Sequence, residues 1–224
     1  ATLLHPWHEA AGARFAPFAG YDMPIQYSAG AVEEHRLTRR SVGLFDIDHM
    51  GQVIVQGPGA GAALSRLVSA RILDMEANQA RYALLLAEDG GILDDLFIYR
   101  LAPSAGPDAW FVVVNASNRE ADAARLRALL PATVEVRDIS DETYMIAVQG
   151  PRAVELLDRV SGGALSAAPR FSMIEAPVAG IPARIGRTGY TGEDGAELFY
   201  DARRAAELWE RLLAEAAAAG IEAG

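Results

Sequence analysis

The chain contains no cysteine. That absence excludes disulfides, thiolate metal ligands, cysteine nucleophiles and cysteine-held iron–sulfur clusters, and it leaves the redox compartment open. No apolar run reaches the ~18 residues a membrane span needs, and Ala1 to Trp7 lacks a charged-then-apolar signal pattern. The expectation is a cytoplasmic protein with no membrane partner. Positive charge is scarce: 20 basic residues against 30 acidic ones leave a formal net charge of −10, which disfavours nucleic-acid binding. The tight basic group Arg36, Arg39 and Arg40 has Glu33 and Glu34 at helical pairing distance, so it reads as a solvated helix face, with a docking patch as the alternative. Histidines number only four. His5-x-x-His8 lacks the glutamate of a zincin helix, so no metal is expected, and His49 on a strand reads as a hydrogen-bonded structural residue. No serine occupies a Gly-x-Ser-x-Gly elbow, and no Ser-His-Asp arrangement stands out.

What is present is a globular composition, 51% hydrophobic and 22% charged over 224 residues, enough for one or two domains with a substantial core. The spacing predicts a helix over Ala29 to Arg40 and a strand-like run from Gly43 through Gln56. A repeat follows. Val53 to Gln56, then Gly57-Pro58, then Ala60 to Val68 matches Met145 to Gln149, then Gly150-Pro151, then Ala153 to Val160: strand, Gln-Gly-Pro corner, helix. Between the copies lie strands at Trp110 to Val114 and Thr133 to Val136 and a helix from about Arg119 to Leu130, preceded by cap-type residues Asn115-Ala116-Ser117-Asn118. Beyond the second copy, Pro177 to Ile185 and Ala196 to Tyr200 read as strands and Ala202 to Ala219 as an amphipathic helix. The alanine-rich helix running into Gly220 to Gly224 suggests that more protein once followed.

Two segments carry candidate chemistry. Asp89-Gly90 between Tyr82–Ala87 and Ile92–Leu101 is a hairpin signal that sets Asp94 and Asp95 within one strand, facing opposite ways. Asp94 would share a face with Ile92, Leu96 and Ile98, and Asp95 the other with Leu93, Phe97 and Tyr99. A carboxylate on an apolar face costs several kcal/mol or takes up a proton, so donors or a ligand must meet at least one of them. The segment Arg187 to Phe199 holds three glycines in seven residues but no Walker lysine. It reads as a long hairpin turn, or as a clamp in which Tyr190 stacks on a flat heterocycle and Glu197 accepts its N–H groups.

Together these segments resemble the T-protein of the glycine cleavage system, a tetrahydrofolate-dependent aminomethyltransferase, along nearly the whole chain. The landmarks are Gly12-Ala13-Arg14, Phe18 to Pro24, Gly43 to Asp46, His49-Met50-Gly51, Gly90 to Asp95, Val113 to Asn118 and Arg187 to Gly195. The resemblance implies an α+β fold of antiparallel sheets with flanking helices: a discontinuous first domain, about 1–52 plus 148–224, enclosing a ferredoxin-like second domain, about 53–147. It implies that tetrahydrofolate attacks the methylene of an aminomethyl group on the lipoyl arm of the H-protein, releasing ammonia and methylene-tetrahydrofolate. The catalytic position falls on Asp95, pterin-contacting positions on Tyr190 and Glu197, and pocket-lining positions on Met50, Tyr82 and Asn115. Asp94 is then a scaffold residue.

Two departures accompany the resemblance. Asp48 stands where the family usually has serine, which adds negative charge near the expected pocket. The family's third, C-terminal β domain and a folate-contacting arginine lie beyond Gly224, so weak or no turnover is expected of this piece alone. Rival readings are a related folate-dependent demethylase, the folate domain of a sarcosine or dimethylglycine oxidase, and a non-catalytic folate-binding module.

Overall fold

The computed structural model describes residues 1–224. In chain order the elements are α1 (His5–Ala10), β1 (Arg14–Phe18), β2 (Tyr21–Gln26), α2 (Ala31–Arg40), β3 (Gly43–Asp46), β4 (Gly51–Gln56), α3 (Ala60–Leu64), β5 (Ala80–Leu86) and β6 (Ile92–Arg100). They continue as β7 (Trp110–Val114), α4 (Arg119–Leu129), β8 (Glu135–Asp138), β9 (Thr143–Gln149), α5 (Ala153–Ser161), β10 (Met173–Val178), β11 (Ile181–Gly186), β12 (Gly195–Asp201) and α6 (Ala205–Ala218). The chain divides into two compact units. One is Ala1–His49, Glu142–Arg170 and Ile174–Gly224; the other is Met50–Asp141 with Phe171–Met173.

The second unit is an antiparallel sheet in the order β5-β6-β7-β4-β8. Leaving out the edge strand β5, this is a split β-α-β of ferredoxin-like topology, with α3 following β4 and α4 following β7. Its core packs Val53, Val55, Leu85, Leu96, Ile98, Val112 and Val114 of the sheet against Leu64, Ala123 and Leu126 of the helices. The first unit repeats this layout in the order β10-β11-β12-β9-β3, with α5 following β9 and α6 following β12. The strand occupying the last position precedes the rest in sequence, so the copy is circularly permuted. A two-stranded ribbon, β1 with β2, is added to it. The Gln-Gly-Pro corners sit at equivalent places, after β4 and β9. Gly57 has φ +126° and Gly150 φ +135°, and an added Cβ would lie 2.6 Å from Thr133 O and 2.2 Å from Ser41 O. Glycine is required there for close backbone approach as well as for the turn. Pro58 and Pro151 stand in the turns ahead of α3 and α5 rather than inside them.

Several elements differ from the sequence expectation. The run from Gly43 to Gln56 is two strands in different sheets, because Asp46 Oδ1 accepts the Asp48 backbone N–H (3.2 Å) and turns the chain over Ile47–Met50. The stretch Pro177–Ile185 is a hairpin folded at Ala179 and Gly180, which both have positive φ (49° and 78°). Helix α3 ends at Leu64 instead of reaching Val68. The last strand of the second unit is Glu135–Asp138 rather than Thr133 to Val136.

Candidate functional site

The β5–β6 hairpin forms as expected, in the register Tyr82↔Phe97, Leu84↔Asp95 and Leu85↔Asp94. Asp94 faces the helix-covered core and is 8% exposed. Asp95 faces the opposite side and is half-buried. Tyr82, 55% exposed, and Phe97 share that side with it, and the Phe97 ring stacks on Phe171 at 6.3 Å. The two carboxylates meet on one side chain. Asn115, at the end of β7, donates from Nδ2 to Asp94 Oδ1 (2.9 Å), to Asp95 Oδ1 (2.9 Å) and to the Asp95 carbonyl (3.1 Å). Asp95 Oδ2 accepts no hydrogen bond and remains available to another donor. The residues read as helix caps therefore do other work: neither Asn115 nor Asn118 caps a helix with its side chain, and both bond to Asp94.

Behind Asp94 lies a residue that the sequence reading missed, Asp122 on α4, 4% exposed. The two carboxyls lie in hydrogen-bonding contact, while Asp94 Oδ2 and Asp122 Oδ2 are buried and meet no N–H or hydroxyl donor. Burial, reinforced by the hydrogen bond to Asp94 and its charge, pushes the Asp122 carboxyl up to about 7. Burial pushes Asp94 the same way, but the bonds from Asp122, Asn115, the Asp95 backbone and Asn118 outweigh it and hold Asp94 below the ordinary carboxylate range. One proton is thus shared by the pair and rests on Asp122. The available signal was a carboxylate inside the apolar stripe Asp122, Ala123 and Leu126 of a helix. Met50, also in this unit, is half-buried and accepts Gln52 Nε2 at its carbonyl (2.8 Å).

Tyr190 and Glu197 belong to the first unit. The Arg187–Asp194 loop between β11 and β12 is braced at several points. Arg187 pairs with Asp194 (2.9 Å), and Gln149 Nε2 donates to the carbonyls of Thr188 (3.1 Å) and Ala196 (3.4 Å). Thr191 donates to Gln149 Oε1 (2.9 Å), and Arg39 donates to the Thr191 carbonyl (2.7 Å) and Glu193 (2.9 Å). Gly189 admits no side chain, since a Cβ would fall 2.0 Å from Gln149 Oε1. The bracing holds Tyr190 fully exposed at the loop tip. Glu197 on β12 is half-buried and accepts the Thr188 hydroxyl (2.6 Å).

Elsewhere in the first unit, Asp46 Oδ2 accepts the hydroxyls of Thr2 (2.6 Å) and Tyr144 (3.0 Å) and the ring nitrogen His8 Nε2 (3.0 Å), while Tyr27 OH bonds His8 Nδ1 (2.6 Å). Burial, with the charges of Asp46 and Glu34, pushes Tyr27 up to about 12, so its hydroxyl keeps its proton. His8 is therefore a buried structural residue of α1. Asp48 Oδ1 holds the Met145 backbone N–H (3.0 Å), which gives the serine-to-aspartate departure a structural role. His49 lies in the Ile47–Met50 turn, not on a strand, and its Nδ1 is buried without a hydrogen-bond partner. Burial lowers its pKa below 6.5, against the Asp46 charge. The basic group on α2 is paired: Arg36 and Arg40 with Glu33, Arg40 also with Glu222, and Arg39 with Glu193. No group of three His, Asp or Glu side chains is arranged to hold a metal ion.

The chain thus combines a ferredoxin-like unit that carries an amide-clamped carboxylate with a permuted second copy of the same layout. The chain belongs to the GCVT N-terminal domain family, which matches residues 4–224. It is 44% identical over 224 residues to the aminomethyltransferase of Prosthecochloris aestuarii, covering 99% of this chain and 60% of that protein. The aminomethyltransferase of Rubrobacter xylanophilus is likewise 44% identical, with 99% and 59% covered. The crystal structure of glycine cleavage system aminomethyltransferase T from Bartonella henselae superposes with a TM-score of 0.86 at 38% identity, over 95% of this chain and 57% of that one. A heterotetrameric sarcosine oxidase from Corynebacterium shares the fold, with a TM-score of 0.60 at 20% identity. The chain spans about 60% of the length of these aminomethyltransferases.

Proposed function

We propose that this chain binds tetrahydrofolate and supplies Asp95 to an aminomethyl transfer from the lipoyl arm of a glycine cleavage H-protein. Two folate nitrogens bond the methylene in turn while its bonds to the amine and to the lipoyl sulfur break, so ammonia and the free lipoyl thiol leave alongside methylene-tetrahydrofolate. The observation carrying the reading is the Asp95 carboxylate. Asn115 fixes Oδ1, and Oδ2 stays open on a sheet side edged by Tyr82 and Phe97. That combination of acceptor and aromatic surface fits a pterin, a flat ring rich in N–H groups: an aromatic surface takes its face and a carboxylate accepts from its edge. In the first unit, Tyr190 is an aromatic on a loop braced by Gln149 and Arg39, and Glu197 on β12 is a further acceptor of the same kind. Asp95 orients the folate amine, balances the positive charge that develops on nitrogen and accepts its proton. Asn115 positions Asp95, and Met50 and Tyr82 line the pocket. The relatives' shared name and the family match support the reaction class. Calorimetric titration of tetrahydrofolate into this chain tests the reading. Saturable heat is expected, and no heat at millimolar ligand would refute it.

A further inference from the structure

We propose that Asp122 is a positioning residue for Asp95, acting through a shared proton that locks Asp94 and, with it, the Asn115 clamp. The proposal rests on the reading of Asp95 as the folate-facing carboxylate. The geometry is a chain of contacts from α4 to the sheet side that carries Asp95. Asp122 meets Asp94, Asp94 Oδ1 accepts from Asn115 Nδ2 (2.9 Å), and the same nitrogen donates to Asp95 Oδ1 (2.9 Å). Asn115 has two amide hydrogens for these acceptors, so the angle at which it serves Asp95 is set by where Asp94 lies.

Asp94 Oδ2 and Asp122 Oδ2 are both buried and meet no N–H or hydroxyl donor, and the two side chains are hydrogen-bonded to each other. With the proton present, an O–H···O bond joins the two groups. With it lost, two buried anions face each other and must separate. On β6 there is Asp95, and from the segment after β7 come the neutral amides of Asn115 and Asn118. On α4 the first-turn position of Asp122 favours its anion, and Arg125 lowers its pKa by charge. The guanidinium itself is directed away, with its NH2 on the Leu86 carbonyl (2.9 Å) and Nε without a partner. Burial and Asp94 outweigh both influences.

The consequence is a site whose geometry depends on a proton remote from the ligand. It is tested by following the Asn115 side-chain amide and the Asp95 carboxyl carbon by NMR as pH rises, with tetrahydrofolate affinity measured over the same range. In the wild-type chain both signals move together with a midpoint near the Asp122 value of about 7. Affinity falls about tenfold across that midpoint, the scale of losing one charge-assisted hydrogen bond. Asp122→Asn, whose amide donates to Asp94 without titrating, abolishes the inflection and keeps the low-pH affinity; Asp122→Ala loses about tenfold at every pH. A flat Asn115 signal, or an unchanged inflection in Asp122→Asn, overturns the proposal. If the chain binds no folate at all, the reading of the site fails, while the coupled movement of Asn115 and Asp95 still decides the role of Asp122.

Discussion

The stability of the second unit should fall as pH rises through the Asp122 transition. In the unfolded chain an aspartate ionises near 3.8, whereas in the fold Asp122 holds its proton to about pH 7. Between these values the native state binds the extra proton, so unfolding releases it and stability decreases with rising pH. Each tenfold difference in proton affinity is worth about 1.4 kcal/mol, which puts the ceiling at about 4 kcal/mol. The effective dielectric of a partly relaxed interior reduces this to an expected loss of about 2 kcal/mol between pH 5 and 8. Asp94, held low, loses its contribution only at more acidic pH and does not cancel the slope in this window. Urea unfolding at a series of pH values measures the effect. Trp110 is the one tryptophan in Met50–Asp141, and its 19F signal in 5-fluorotryptophan-labelled protein reports this unit. Asp122→Asn should flatten the pH dependence while leaving the fold intact, and it controls for the general cost of a net charge of −10. A wild-type stability that is flat or rising over this range, or a variant with the same slope, would refute the reasoning.

Other perturbations follow from the same contacts. Asp46→Ala strips the acceptor from Thr2, His8 and Tyr144, and should destabilise the first unit by about 3–5 kcal/mol in urea titrations. A loss under about 1 kcal/mol would mean the cluster is replaceable by water. Gly150→Ala should cost about 3 kcal/mol or more, because its Cβ strikes the Ser41 carbonyl, whereas Gly162→Ala, also at positive φ but facing open space, should cost about 1 kcal/mol. Equal midpoint shifts for the two variants would contradict the close-approach argument. Asp95→Asn should weaken tetrahydrofolate binding about tenfold with an unchanged unfolding midpoint. Loss of binding from Asp94→Asn with none from Asp95→Asn would reverse the assignment of the two carboxylates.

The local signals that proved readable were those with a strict period or a sharp turn. Asp-Gly set the β5–β6 hairpin, alternation separated Asp94 from Asp95, and the paired Gln-Gly-Pro corners exposed the duplicated layout. The splits at Ile47–Met50 and at Ala179-Gly180 were not readable. The first depends on an aspartate side chain capturing nearby backbone, and the second places a non-glycine residue at positive φ, which no propensity favours. At the candidate site, the carboxylates were visible as charges on apolar faces. Their supporting partners were not, because Asn115 and Asn118 look like helix caps and Asp122 like an ordinary first-turn acid. Only the tertiary approach of α4 to β6 turns these side chains into one network.

The central claim is that the open oxygen of Asp95 receives the folate, and a crystal structure of this chain grown with tetrahydrofolate tests it most directly. The account predicts a pterin nitrogen within about 3 Å of Asp95 Oδ2, with Asn115 still on Oδ1. A pterin bound elsewhere, with Asp95 contacting only solvent, would contradict it.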